Sequence, residues 1–572
     1  MTSLSAKRRR GEDAVGVFQQ DDPRQSWYRV FYNKRKENRS LVLKDNVAAF
    51  KFCDGIGDEF KGGQTKWAAR KGLPKILGHL LAQGRDDFDF NELAVASVQG
   101  DSIECIELVN KYSELTPFDS QHLCRTQSDA AFKLLREWGV DIDSSHLHEA
   151  SEEGSLPAVR YLLDNGANVD QLADEFDTPL VHAANKDVAE LLLQRGANIL
   201  GSDEVQLTPL HCTQDKGVAE VLLKYGAQVN HVDGDGMTPL YHAANEGVAE
   251  VLLQNGAVVN AFDWYGDTPL HYARDEGVAE ILLQNGAYIH TKNNIRGDTP
   301  LHEARDEGVA EVLIRNGADV NAKNNDGYTP LHCTRIKGVA EVLIRNGADV
   351  NAENNYGVTP LHHIRDKDVA EVLIHNGANV NAKNTGWRTP LHFVRNEDIA
   401  EVLLQNGAEI DAEDMDGCTP LHTVIRNFDL CLFKFLIDKG ANINSKNQEE
   451  DTPLMLACFP DYNDDKWRVD EWNGVKFQTI LLEHPDIVLG NGDFMAAAEH
   501  NRVECMKMML NKTKQEVPQM NKVTMTAITN GSVECLKLFD WSDKKNFGDE
   551  LEGAIRNGRS ECLEYLLALC DN

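Results

Sequence analysis

The chain has 572 residues, 42% of them hydrophobic, and a formal charge of −33 from 58 Lys and Arg against 91 Asp and Glu. Residues 1–45 carry +5, so residues 46–572 carry −38. A body that acidic repels phosphate backbones and anionic lipid, which argues against nucleic-acid or membrane-surface binding by it. No apolar stretch approaches the roughly 18–20 residues of a bilayer span, and the N-terminus lacks the apolar core of a signal peptide. Twelve cysteines without a CxxC pair read as reduced thiols, which sets the expectation of a cytoplasmic or nuclear protein.

In chain order, residues 1–26 are polar and charged and are expected to be a disordered basic leader. Within it Lys7, Arg8, Arg9 and Arg10 form a candidate nuclear-import cluster, with Lys34-Arg35-Lys36 a second basic run. Residues 27–62 hold Trp27, Tyr28, Phe31, Tyr32 and Phe50, enough aromatic surface for an N-terminal capping segment. Residues 63–170 carry four divergent copies of a two-helix pattern, around Lys66–Gly84, Leu93–Tyr112, His122–Gly139 and Leu147–Gly166.

From 171 to 448 the repetition is regular. Thr-Pro-Leu begins at Thr178, Thr208, Thr238, Thr268, Thr299, Thr329, Thr359, Thr389, Thr419 and Thr452, at intervals of 30 or 31 residues until a last interval of 33. Residues 309–322 and 339–352 are identical, the mark of recent duplication. Residues 449–572 diverge again, with an inserted loop expected near 459–476 and further two-helix patterns at Met495–Met506, Met525–Phe539 and Leu551–Leu567.

Within one unit, proline in the first helical turn gives up only an N–H that had no helical partner, and the preceding threonine can cap that helix. Val278 to Leu283 has the aliphatic spacing of a second helix, and Gly286 stands where a left-handed residue ends it. Asn293 to Gly297 supplies turn chemistry before the next unit. The run Thr268-Pro269-Leu270-His271-Tyr272-Ala273 resembles the signature of ankyrin repeats. The resemblance implies an all-α ankyrin-repeat solenoid of about seventeen helix-turn-helix units with hairpin-like loops, a monomer, and a groove that binds protein partners. The usual unit has 33 residues. Aligning Thr-Pro-Leu and Gly-Ala puts the missing three at the inter-helix turn and the start of the second helix, which predicts outer helices about one turn short.

Seven histidines, at 211, 271, 302, 332, 362, 392 and 422, stand three residues after the threonine. The resemblance implies that they bond to neighbouring backbone, so no metal site and no cofactor is expected. Cys105, Cys505, Cys535 and Cys562 each follow a glutamate and read as core. No phosphate loop, nucleophile elbow or metalloprotease motif is present, and no catalytic residue is expected.

Two charged ladders remain. Arg274, Arg305, Arg335, Arg365 and Arg395 stand six residues after the threonine in five successive units. Glu190, Glu220, Glu250, Glu280, Glu311, Glu341, Glu371 and Glu401 stand twelve after it in eight. The plain reading pairs each arginine with a glutamate in its own or the adjacent unit. The sharper one has the arginines grip an acidic segment of a partner. Loop tips vary most between units, at Trp264, Tyr265, Ile295, Arg296, Tyr356, Trp387 and Arg388. With Tyr272, Glu303, His363 and Phe393 and the arginines they define the candidate partner-binding surface. Asn230, Asn260, Asn321, Asn351 and Asn381 occupy a Val-Asn position that resembles the targets of asparaginyl hydroxylase in ankyrin proteins. The expectation is a non-catalytic protein-binding scaffold or adaptor; the alternative is a substrate-recognition adaptor of a ubiquitin ligase.

Overall fold

Each repeat takes its shape from where its backbone donors and acceptors find partners. The computed structural model describes residues 64–82, 89–113, 118–173, 177–201, 207–459, 471–514, 517, 519–541 and 547–570. Every regular element among them is helical. The leader with its basic cluster and the segment 27–62 lie outside the described residues. The chain divides into two units, Met1–Ala197 and Asn198–Asn572.

In the first unit the divergent patterns are helix pairs: Gln64–Arg70 with Pro74–Ala82, Phe90–Gln99 with Ile103–Tyr112, Ser120–Cys124 with Asp129–Glu137, and Leu147–Glu152 with Leu156–Asp164. Ser102, Ser128 and Ser155 cap the second member of three pairs by accepting a backbone N–H three residues on. Cys105, Ile106 and Val109 show the recurring result, one helix face fully buried.

In the second unit the regular array rests on second helices of nine residues, such as Glu276–Gln284, Glu307–Arg315 and Lys337–Arg345. Asp215, Asn245, Asp275, Asp306, Asp366 and Asn396 cap them through the N–H of the valine or isoleucine three residues later. Val309, Ala310, Val312 and Leu313 are buried, and the pattern repeats in the neighbouring copies.

The expected short outer helices are a point of correction. The second helix has nine residues in the 30-residue units and also in the longer Thr419 unit, Leu430–Asp438. The first helix has seven residues in that longer unit, Pro420–Arg426, but four in Pro300–Glu303 and Pro330–Cys333, and three in Pro390–His392. The three missing residues therefore come from the first helix. The reason is that the capping aspartate fixes where the second helix begins, and its buried stripe needs all nine residues.

The histidines perform the bonding that the resemblance implied. The Thr268 N–H and hydroxyl both point at His271 Nδ1, at 3.0 and 2.9 Å, and Nε2 faces the Asp298 carbonyl at 3.2 Å. An N–H can only donate and a carbonyl can only accept, so the ring is neutral with its proton on Nε2. The same set recurs at His302, His332, His362 and His392, each reaching the carbonyl just before the next unit's threonine. The threonine hydroxyl is thus engaged by the ring rather than by the helix backbone. Where the histidine is replaced by Val181 or Tyr241, the buried hydroxyls of Thr178 and Thr238 have no partner. Tyr241 substitutes at the other end, its hydroxyl donating to the Asp267 carbonyl at 2.8 Å. Thr452, followed by Met455, does cap its helix and also donates to Asp493 at 2.6 Å.

The inserted loop is shorter than expected. Residues 471–476 belong to a helix, Glu471–Glu483, because Phe477, Leu481 and Leu482 are buried and Phe477 stacks edge-on against Phe433 at 4.8 Å. Residues 460–470 lie outside the described residues.

Candidate partner-binding surface

From Asp233 to Asp451 each loop tip is closed around one side-chain oxygen. Asp263 Oδ1 accepts the N–H groups of Tyr265 and Asp267 at 2.9 and 2.8 Å, and Asn354 Oδ1 does the same for Tyr356 and Val358. This is an aspartate or asparagine turn, in which one side chain closes the loop. Neighbouring tips are then joined by one backbone bond each. Trp264 N donates to Asp235 O, Asn294 N to Tyr265 O, Asn325 N to Arg296 O, and Asn355 N to Asp326 O, at 2.8–3.1 Å. The row continues through Thr385, Met415 and Gln448. Nothing in the residue pattern announced this ladder, because its partners are backbone atoms.

The fourth tip position is a glycine with positive φ at Gly266, Gly327, Gly357 and Gly417, and Gly297 takes the same place in a tip one residue longer. In one tip it is Trp387, at φ +58° and 55% exposed, with Lys383 Nζ 5.7 Å from its ring. A bulky residue in that region costs about 1–2 kcal/mol. Trp387→Gly is expected to raise stability by roughly 0.5–1 kcal/mol after the added freedom of the unfolded chain is counted, read as a higher urea midpoint. A lower midpoint would show that the ring itself holds the tip.

The other candidates divide by surroundings. Trp264, Tyr265, Arg296 and Tyr356 are exposed on tips, Trp264 lying back so that its indole N–H donates to the Gly234 carbonyl at 3.0 Å. Tyr272 and Glu303 are half-buried on the first-helix side, Tyr272 donating to Asp263 Oδ2 at 3.4 Å and stacking edge-on with Tyr241. His363 is edge-on to Tyr328 and 3.1 Å from its hydroxyl, and Phe393 is edge-on to His362. Arg388 serves the fold: its Nε donates to the buried Asp414 Oδ2 at 3.1 Å.

The plain reading of the two ladders fails for every ladder arginine but Arg305. Glu250 pairs with Lys216 at 2.7 Å, Glu280 with Arg315, Glu311 with Arg345 and Glu401 with Lys439. Each tie joins adjacent units, between second helices or, for Lys439, to the residue that ends one, and none uses a ladder arginine. All five arginines are exposed in the turn between helices, one residue before the second helix's cap position. Arg305 meets Glu303 at 3.6 Å, and Arg274, Arg335, Arg365 and Arg395 make no ion pair among the described residues. They stand at the end of the helix pair away from the tips, so the candidate surface has two edges rather than one continuous patch.

Asn230, Asn321 and Asn351 are exposed and Asn260 and Asn381 half-buried, and each amide bridges to the next unit. Asn351 Nδ2 donates to the Gly377 carbonyl at 3.0 Å and its Oδ1 accepts the Asn379 N–H at 2.8 Å. Asn230, Asn260, Asn321 and Asn381 repeat the pair.

This architecture of helix pairs, bonded tips and histidine ties is one that comparison recognises. The family model for ankyrin repeats (3 copies) matches residues 122–203, 210–293, 275–354, 301–384, 333–414 and 391–464, more than half of the sequence. The chain belongs to the ankyrin-repeat family. Comparison with curated proteins gives no match. Ankyrin repeats generally mediate protein–protein interaction, and proteins built from them are typically non-enzymatic scaffolds. No helix among the described residues is long and apolar enough to cross a membrane.

Proposed function

We propose that the chain is a non-catalytic scaffold or adaptor whose ankyrin array holds a protein partner between the loop tips and the turn between helices. The observation that carries this reading is the ladder of Arg274, Arg335, Arg365 and Arg395, left without carboxylates while Glu250, Glu280, Glu311 and Glu401 pair with other bases. A guanidinium is weakly hydrated and presents a planar fork that suits carboxylate, so a row of them on successive units offers repeated docking points for an acidic partner stretch. The reading carries with it a monomer in the cytoplasm or nucleus, in keeping with thiols that are free throughout the described residues.

The test is affinity purification with the full chain and with Arg335→Ala/Arg365→Ala. The co-purifying protein is expected to fall at least tenfold, a change of about 1.4 kcal/mol in binding. Unchanged recovery, with the same unfolding midpoint, removes the arginines from the interface.

A further inference from the structure

A duplicated array supplies its own control, because each position can be read against its copies. At the position just before the tip aspartate or asparagine the units carry Lys292, Lys323, Glu353, Lys383, Glu413 and Lys446, but Val232 and Phe262 in two adjoining ones. At the next-but-one position they carry Gly234, Asn294, Asn325, Asn355, Thr385, Met415 and Gln448, and one aromatic, Trp264. Phe262 is 58% exposed, Trp264 68% and Ile295, on the following tip, 62%, with Tyr265 exposed between them. Such residues are normally scattered singly on a surface, and their concentration on adjoining tips marks a binding site. The tips are adjoining in fact, since Trp264 N bonds to Asp235 O and Asn294 N to Tyr265 O.

The charge around this patch is also unlike that of the rest of the array. Residues 231–290 hold nine carboxylates and one basic side chain, Arg274, a net of −8. The next stretch, 291–400, holds fifteen against thirteen, a net of −2. Asp235 is exposed on the tip beside Trp264, and Asp267 on the next is half-buried, its Oδ1 accepting from Asn293 Nδ2 at 3.0 Å. No lysine or arginine pairs with Asp235, Asp263 or Asp267 among the described residues. Burial raises the Asp267 carboxyl above its ordinary range, with Asp263 and Asp298 adding to it. A second copy of this chain would set like charge against like, and an anionic membrane would be repelled.

We propose that the tips from Asp235 to Ile295 bind a segment of a partner protein that is both apolar and basic, its apolar side chains against Phe262, Trp264 and Tyr265 and its lysines or arginines against Asp235 and Asp267. This rests on the scaffold reading above and adds a second site of opposite charge preference to the arginine edge. Aromatic faces also attract a cation placed over them, so the same residues serve both halves of the segment.

The test uses full-length protein to select from a displayed library of random 16-residue peptides. Selected peptides are expected to be net positive and rich in aliphatic or aromatic residues, and to lose affinity as salt rises. Phe262→Ala/Trp264→Ala is expected to weaken a selected peptide at least tenfold with the urea midpoint unchanged. Asp235→Asn/Asp267→Asn is expected to weaken it several-fold and flatten the salt dependence. Arg335→Ala/Arg365→Ala is expected to leave it unchanged. A library that returns no binder, or only peptides insensitive to the tip variants, overturns the inference. Acidic peptides lost with the arginine variant would overturn it while upholding the scaffold reading.

Discussion

Acidifying the protein from pH 7 to pH 4.5 is expected to lower its stability by several kcal/mol, through the histidines that tie one repeat to the next. Each ring accepts at Nδ1 from the threonine and donates at Nε2 to a carbonyl, so an added proton would have to sit on Nδ1 facing two donors. Burial pushes His211, His332 and His362 down to about 4, and His271, His302, His392 and His422 down as well. The unfolded chain titrates near 6.5 and the folded one lower, so below about pH 6.5 the unfolded state holds more protons and acid favours it. The loss starts as pH falls through the unfolded value and is complete below about 4 for these three. Each of them accounts for up to about 3 kcal/mol. Asp267 and Asp493 act the other way, since burial raises their carboxyls and acid relieves them. Urea midpoints at pH 7.0, 5.5 and 4.5 measure the net. His332→Gln/His362→Gln should flatten the profile, because glutamine does not titrate, and a midpoint that holds from pH 7.0 to 4.5 in the unmodified protein would contradict the account.

Arg388→Met is expected to destabilise the array by about 3 kcal/mol. The Asp414 side chain is 1% exposed, and its Oδ2 depends on Arg388, while Oδ1 accepts the Asp416 and Cys418 N–H groups at 3.0 and 2.8 Å. Removing the guanidinium leaves a buried charge without its partner. The repeats state the remedy: Asn324, Asn354 and Asn384 close equivalent tips with no charge at all. Adding Asp414→Asn to the methionine variant should therefore recover most of the loss. Failure of that rescue would mean that Arg388 stabilises the tip by packing rather than by charge.

The family and the second helix were legible because a 30-residue period with Thr-Pro-Leu and Gly-Ala at its ends has no other reading. The place of the deletion was not. Anchoring an alignment at both ends leaves the gap free to slide, and only the capping residue fixes it. That signal was present: an aspartate or asparagine recurs three residues before Val218, Val248, Val278 and Val309, and Asp429 stands likewise before Leu432 in the longer unit. The ladder glutamates were misassigned because spacing cannot tell a helix from the turn before it. Glu280 lies on the second helix, within reach of Arg315 on the next one, whereas Arg274 precedes the helix. Arg388 looked like an exposed tip residue, and only the burial of Asp414 shows what it holds. Phe262 lies just outside the variable tip residues, and comparison with Lys292, Lys323, Glu353, Lys383 and Glu413 of its copies is what marks it.

The row of bonds along the tips separates two things that proteins usually have to trade against each other. Donor and acceptor are main-chain atoms, so the bond at Trp264 is the same bond at Asn294, Asn325, Thr385 and Met415. Side chains there can be exchanged without cutting the link, and duplication delivers each new copy already wired to its neighbours. Such an array can change what it recognises one tooth at a time, as a key is recut, while the blank stays the same.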